Sequence, residues 1–119
     1  MPFISITTNV TLTTQHEVRI KSEAARVMND IAGKPEEWLM IALHPGTLLF
    51  FQGASDPRTA YIEIKYVGAF AAEVKEKIVK GIAKLMQEEV GVSPDRLYIH
   101  FAGSSAADWA WSGTMLSCT

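Results

Sequence analysis

One cysteine in 119 residues, Cys118, leaves no partner for an internal disulfide, and without a Cys-x-x-Cys the chain has no dithiol redox centre or zinc ribbon. His16 and His44 have no partner at metal-ligand spacing and are read as structural or surface residues, so no metal site is expected. Long apolar runs are missing too. The opening stretch is broken by Ser5, Thr7, Thr8 and Asn9 and has no basic flank, which fits neither a signal peptide nor a membrane span. A cytoplasmic location is therefore expected. Positive charge is not in excess: the formal net charge is -2, which supplies no broad field for nucleic acid. Low-complexity tracts and charge runs are absent, so the chain is expected to fold throughout.

What is present is an ordinary globular balance, 48% hydrophobic and 20% charged. At this length one domain, residues 1–119, buries roughly two-thirds of its unfolded surface. Within it lies an internal repeat, with halves at about 1–57 and 58–119. Gly33-Lys34-Pro35-Glu36-Glu37-Trp38-Leu39-Met40-Ile41 matches Gly91-Val92-Ser93-Pro94-Asp95-Arg96-Leu97-Tyr98-Ile99, with one more residue between glycine and proline in the second copy. Each copy joins a helix end to a strand start. Before the first, Thr14 and Glu17 form a capping box, and Val18, Ala25, Met28, Ile31 and Ala32 make one helical face. Before the second, Val74, Ile78, Ile82, Leu85 and Met86 do the same. Gly33 and Gly91 suit left-handed caps, and the prolines beyond them stop the helices.

Strands precede each helix at residues 3–8 and 59–67, where Ile62 and Ile64 alternate with Glu63 and Lys65. The predicted class is α+β: two βαβ units forming a four-stranded sheet with both helices on one face. The other face is expected to be bare and apolar, hence covered by self-association. The short segments 48–51 and 114–117 either pair with sheet edges of neighbouring subunits or pack within the chain.

The first residues carry the chemistry. If Met1 is removed, Pro2 starts an apolar strand with a free secondary amine, which can serve as a general base. Retention of Met1 leaves it an amide with no basicity. Desolvation and a nearby cation both disfavour the protonated amine, so apolar and cationic neighbours would keep it neutral near pH 7.

The chain resembles the macrophage migration inhibitory factor family of the tautomerase superfamily. The resemblance rests on Met1-Pro2, Thr8-Asn9-Val10, Gly33-Lys34-Pro35, Phe51-Gln52-Gly53, Ser55-Asp56-Pro57, Ser93-Pro94-Asp95-Arg96-Leu97-Tyr98-Ile99 and Trp111-Ser112-Gly113-Thr114, in that order. It implies a homotrimeric barrel with sites at subunit boundaries, and keto-enol tautomerase activity on phenylpyruvate-like 2-oxo acids, with Pro2 as base and no cofactor. It also implies that Lys34 attracts the substrate carboxylate and that Val67 holds it through a backbone amide. Tyr98 and His100 would come from the neighbouring subunit. His100 stands where the family commonly has asparagine, exchanging a neutral amide for a titratable donor. Trp38 takes a position commonly held by tyrosine, Trp111 matches a tryptophan at the pocket mouth, and Trp109 replaces a smaller apolar residue, which narrows the pocket. Arg58, Arg96 and Asp108 are candidates only by residue type for the water-activating groups of superfamily dehalogenases and decarboxylases, and none sits at a position tied to such a pocket. Two alternatives to an enzyme remain: a secreted, cytokine-like ligand exported without a signal peptide, its proline pocket contacting a receptor protein, and a catalytically inactive trimer.

Overall fold

Residues 2–116 are described in the computed structural model. Cys118 and Ser117 lie outside the described residues. The order is β1 (Pro2–Thr8), α1 (Thr14–Ala32), β2 (Met40–His44), β3 (Ala60–Val67), α2 (Ala72–Leu85), β4 (Leu97–Ser104), β5 (Ala110–Trp111) and β6 (Thr114–Met115). The first four of these strands to pair form one sheet in the order β2-β1-β3-β4. β1–β2 and β3–β4 are parallel, and the central β1–β3 pair is antiparallel. Both halves therefore run strand, helix, parallel strand. Each also has a short 3-10 turn before its second strand, at Glu36–Trp38 and Pro94–Arg96.

Period-two alternation sends Ile4, Ile6, Ile62, Ile64 and Tyr66 to one sheet face, where they meet Ile20, Ala24, Val27 and Met28 of α1 and Ile78, Ile82 and Leu85 of α2. Of the face expected on α1, Ala25 and Met28 are buried and Ile31 and Ala32 pack against the core, whereas Val18 is 58% exposed. It lies two positions before Ile20, about 200° away around the helix. The cap also differs: Thr13 is the N-cap, its hydroxyl accepting from the His16 amide at 3.1 Å while His16 Nδ1 accepts from the Thr13 amide at 3.2 Å. A histidine thus takes the place usually held by glutamate or glutamine, which is why the pattern Thr14 with Glu17 misled by one residue.

The helix ends follow the expected design. Gly33 and Gly91 have φ of 66° and 74°, and in each case the next residue donates back into the last turn: Lys34 to Met28 at 3.0 Å, and Val92 to Met86 at 3.1 Å. That fixes where the chain leaves each helix and starts the following 3-10 turn.

The other sheet face corrects the expectation of a bare apolar surface. It is open but largely polar, presenting Ser5, Thr7, Tyr61, Glu63, Lys65, Tyr98 and His100. Exposed apolar side chains gather instead at the margins, as Met40, Leu48, Phe50 and Trp111. Of the two short segments, Phe51 only bridges to Ala54, whereas Thr114–Met115 pairs with Ala110–Trp111 in a hairpin of the same chain.

Arg96 closes the far end of the sheet. It is buried, and its guanidinium donates to Phe51 O at 2.7 Å, to Ala54 O at 3.2 Å and to Thr59 Oγ1 at 2.6 Å, over the Phe51 ring. This fork holds the loop 51–54 against the start of β3. A lysine has one nitrogen and cannot reach all three acceptors. Arg96→Lys should therefore lower stability by about 2–3 kcal/mol, read as an earlier urea midpoint; an unchanged midpoint would show that the loop is held by other contacts.

Candidate active site

Pro2 begins β1 directly opposite Tyr66 of β3 and is buried on the helix side of the sheet. Tyr66 stacks on Phe70, with ring centroids 3.9 Å apart and planes at 13°, and Lys34 Nζ stands 5.9 Å from the Phe70 centroid. Space for this stack exists because position 103 is glycine: a Cβ there would lie 2.9 Å from the Tyr66 ring and press on the Gly68 carbonyl oxygen. Lys34 thus reaches the Pro2 end of the sheet through two aromatic rings.

On its other side Pro2 opens onto a cavity of about 690 Å³ whose wall includes Phe3, Glu37, Trp38, Leu39, Met40, Trp109, Ala110 and Trp111. Three chain segments build it. The Glu36–Trp38 turn delivers Glu37 and Trp38, the start of β1 delivers Pro2 and Phe3, and the β5–β6 hairpin delivers Trp111. The hairpin reverses through Ser112 and Gly113, at φ of 56° and 74°, as a tight turn with two left-handed residues requires. Trp38 and Trp111 meet edge to face, 5.1 Å apart at 86°. Trp109 is fixed by its indole, which donates to Ser104 Oγ at 2.8 Å. An aromatic so bonded cannot swing aside for a ligand without losing that bond.

The remaining sequence candidates lie elsewhere in the chain. Val67 pairs with Ser104 at the end of β3, on the sheet face opposite to Tyr66, and is not part of the cavity wall. Tyr98 and His100 project from β4 onto the open polar face, Tyr98 against Phe51 at 4.9 Å. Within one chain they do not meet Pro2. Arg58 donates to Val90 O at 2.7 Å, and Asp108 lies exposed in the turn Ala106–Asp108. With Arg96 in its structural fork, none of the three reaches the cavity. Among the described residues no cluster of His, Cys, Asp and Glu could hold a metal ion, and no helix is long and apolar enough to cross a membrane.

Sequence reasoning missed Glu37, Phe3 and Met40 in the wall and Phe70 behind it. The signal for Glu37 was present: it adjoins Trp38 in a repeat that turns one residue after its proline.

The macrophage migration inhibitory factor family model matches residues 1–117. The chain belongs to that family. It is 28% identical to the macrophage migration inhibitory factor of Meriones unguiculatus and 28% identical to the homolog of Brugia malayi, each match covering 96% of this chain and 97% of the relative. The crystal structure of Leishmania major MIF2 superimposes with a TM-score of 0.88 at 25% identity, covering 97% of both chains. Family and fold together support a tautomerase-type function.

The open face carries its own electrostatic feature. Glu63 accepts from the Tyr61 hydroxyl at 2.7 Å and pairs with Lys65 at 3.0 Å, facing His100 across the β3–β4 register. The Tyr61 hydrogen bond, then Lys65, hold its carboxyl below the usual carboxylate range. A depressed folded pKa contributes stability above the unfolded value and loses it as pH falls through the folded one. Tyr61→Phe should move the Glu63 carboxyl upward toward the ordinary range in a carbon-detected NMR titration. No movement would assign the depression to Lys65 and His100 alone.

Proposed function

We propose that the protein is a keto-enol tautomerase of phenylpyruvate-like 2-oxo acids, working from the cytoplasm as a homotrimer, with Pro2 as the base once Met1 is removed. The observation that carries this reading is the buried first residue of β1 opening onto an aryl-sized cavity walled by three tryptophans. Burial disfavours the ammonium form of a secondary amine, and Lys34 adds a second cation on the same end of the sheet. A neutral amine can take the proton from the carbon next to the ketone. The electron pair of that C–H bond becomes the C=C bond of the enol, the carbonyl oxygen takes up the charge, and a proton added there completes the exchange. That proton is the one the amine took from carbon, passed on directly or through water, which returns the amine to its neutral form, so no metal or cofactor enters the balance.

In this reading Lys34 draws in the substrate carboxylate and the Val67 backbone amide helps to hold it. Tyr98 and His100 complete the site from a neighbouring copy, which fits their exposed position on the open face. His100 supplies a titratable donor toward the substrate oxygen. A second reading, a secreted ligand that presents the same cavity to a receptor protein, draws on the family membership and on the exposure of Trp38 and Trp111 at the cavity mouth.

Intact mass together with loss of the phenylpyruvate enol absorbance tests the first reading. The mass should show one methionine missing, and Pro2→Gly should lower turnover at least about a hundredfold. Turnover that survives in Pro2→Gly would remove the amine from the mechanism, while a receptor-type partner retained by that variant would favour the second reading. Trp109→Val removes a large ring from the wall and should raise turnover of a bulky aryl substrate relative to phenylpyruvate; an unchanged ratio would show that Trp109 does not limit the cavity.

A further inference from the structure

The cavity beside Pro2 has a chemical asymmetry that carboxylate recognition does not use. Its wall holds three indoles and, apart from Pro2, one ionisable side chain, which is the acid Glu37. Its neighbour Glu36 is paired with Lys21 at 2.7 Å, but Glu37 has no ion-pair or hydrogen-bond partner among the described residues. Lys34 stands outside the wall, over Phe70. The rings are also set as walls at right angles, with Trp38 and Trp111 meeting at 86°. Both remain solvent-exposed, at 39% and 57%, although tryptophan gains most from burial. Trp109, tied to Ser104, makes a rigid third wall.

Perpendicular indole rings with a carboxylate in the same wall form the environment in which an organic cation is stabilised: the ring quadrupoles attract its charge, its methyl groups displace water from the rings, and the acid balances it. We propose that this cavity binds a methylated or quaternary ammonium group, with Trp38, Trp109 and Trp111 as the aromatic cage and Glu37 as the counter-charge. The ligand class is a small organic ammonium of choline type, or a substrate bearing such a group at the end remote from its reacting carbon. The proposal shares its cavity with the tautomerase reading but does not require Pro2 to be a base. It also assigns Glu37 a role in specificity, since a second carboxylate on a ligand would meet an unpaired acid.

The test is a titration of the full chain with choline, followed by tryptophan fluorescence and by calorimetry, beside its uncharged isostere in which a tert-butyl group replaces the trimethylammonium. The two probes have nearly the same shape, so a difference reports charge. Choline should bind about tenfold more tightly than the isostere. Glu37→Gln should remove most of that preference, and Trp111→Leu should weaken choline while sparing the isostere more. Equal binding of the two probes, or a preference unchanged in Glu37→Gln, would overturn the proposal. The same titration on Pro2→Gly separates it from the enzymatic reading: choline binding should persist there while turnover is lost, and loss of turnover-independent choline binding in that variant would overturn the cage as described.

Discussion

The antiparallel pairing of β1 with β3 is the constraint on which the rest depends. It is the strand pairing that joins the two strand–helix–strand halves beneath their shared core, and its register runs from Pro2 opposite Tyr66 to Thr8 opposite Ala60. One end sets the site and the other end sets the frame. At the far end the Thr8 hydroxyl donates to Thr59 O at 2.8 Å, and Asn9 both donates to Pro57 O and accepts from the Thr59 amide, each at 2.9 Å. A slip of one residue there would send Pro2 to the open face and every isoleucine of β1 out of the core. The position of the candidate base is therefore fixed by hydrogen bonds at the opposite end of its own strand.

Arg96 extends that fixation. Its acceptors are two carbonyls and a hydroxyl, all neutral, so burial of its charge is offset by directional hydrogen bonds and by the Phe51 ring and not by an opposing carboxylate. Four of the five guanidinium N–H groups are thereby committed to protein acceptors, which explains why an arginine that looks catalytic by type is structural by place. The polar open face has a similar logic. Tyr61, Glu63 and Lys65 satisfy one another along β3, so this face is compatible with water as an apolar one would not be.

The elements were legible where one physical rule dominates. Alternating isoleucines fix β1 and β3, and glycine with its left-handed φ fixes both helix ends. The repeat made the βαβ order readable, and the family motifs pointed to Pro2 and to the three tryptophans that the cavity brings together. The face of α1 was harder, because Ala24 and Ala25 are both buried and blur a stripe that also includes a solvent-facing Val18. The capping residue was missed because His16 imitates glutamate through a ring nitrogen. The polarity of the open face was also misjudged: Glu63 and Lys65 alternate with Ile62 and Ile64 and so point away from the core, yet the face they occupy was expected to be apolar. Glu37 escaped because its one signal, adjacency to Trp38 in the repeat, gains meaning only from the turn that carries both to the Pro2 cavity.

That acid sharpens the electrostatic question at the site. A carboxylate in the wall favours the protonated form of a nearby amine, whereas burial and Lys34 favour the neutral form. A ligand cation seated among the tryptophans would neutralise Glu37 and so remove the one group opposing a neutral base. If both proposals hold, the occupant of the cavity and the basicity of a free Pro2 amine would be linked through a shared field. A substrate with an ammonium at its remote end would carry its own means of keeping the amine neutral, and one with a second carboxylate would add its charge to that of Glu37 and hold the amine protonated.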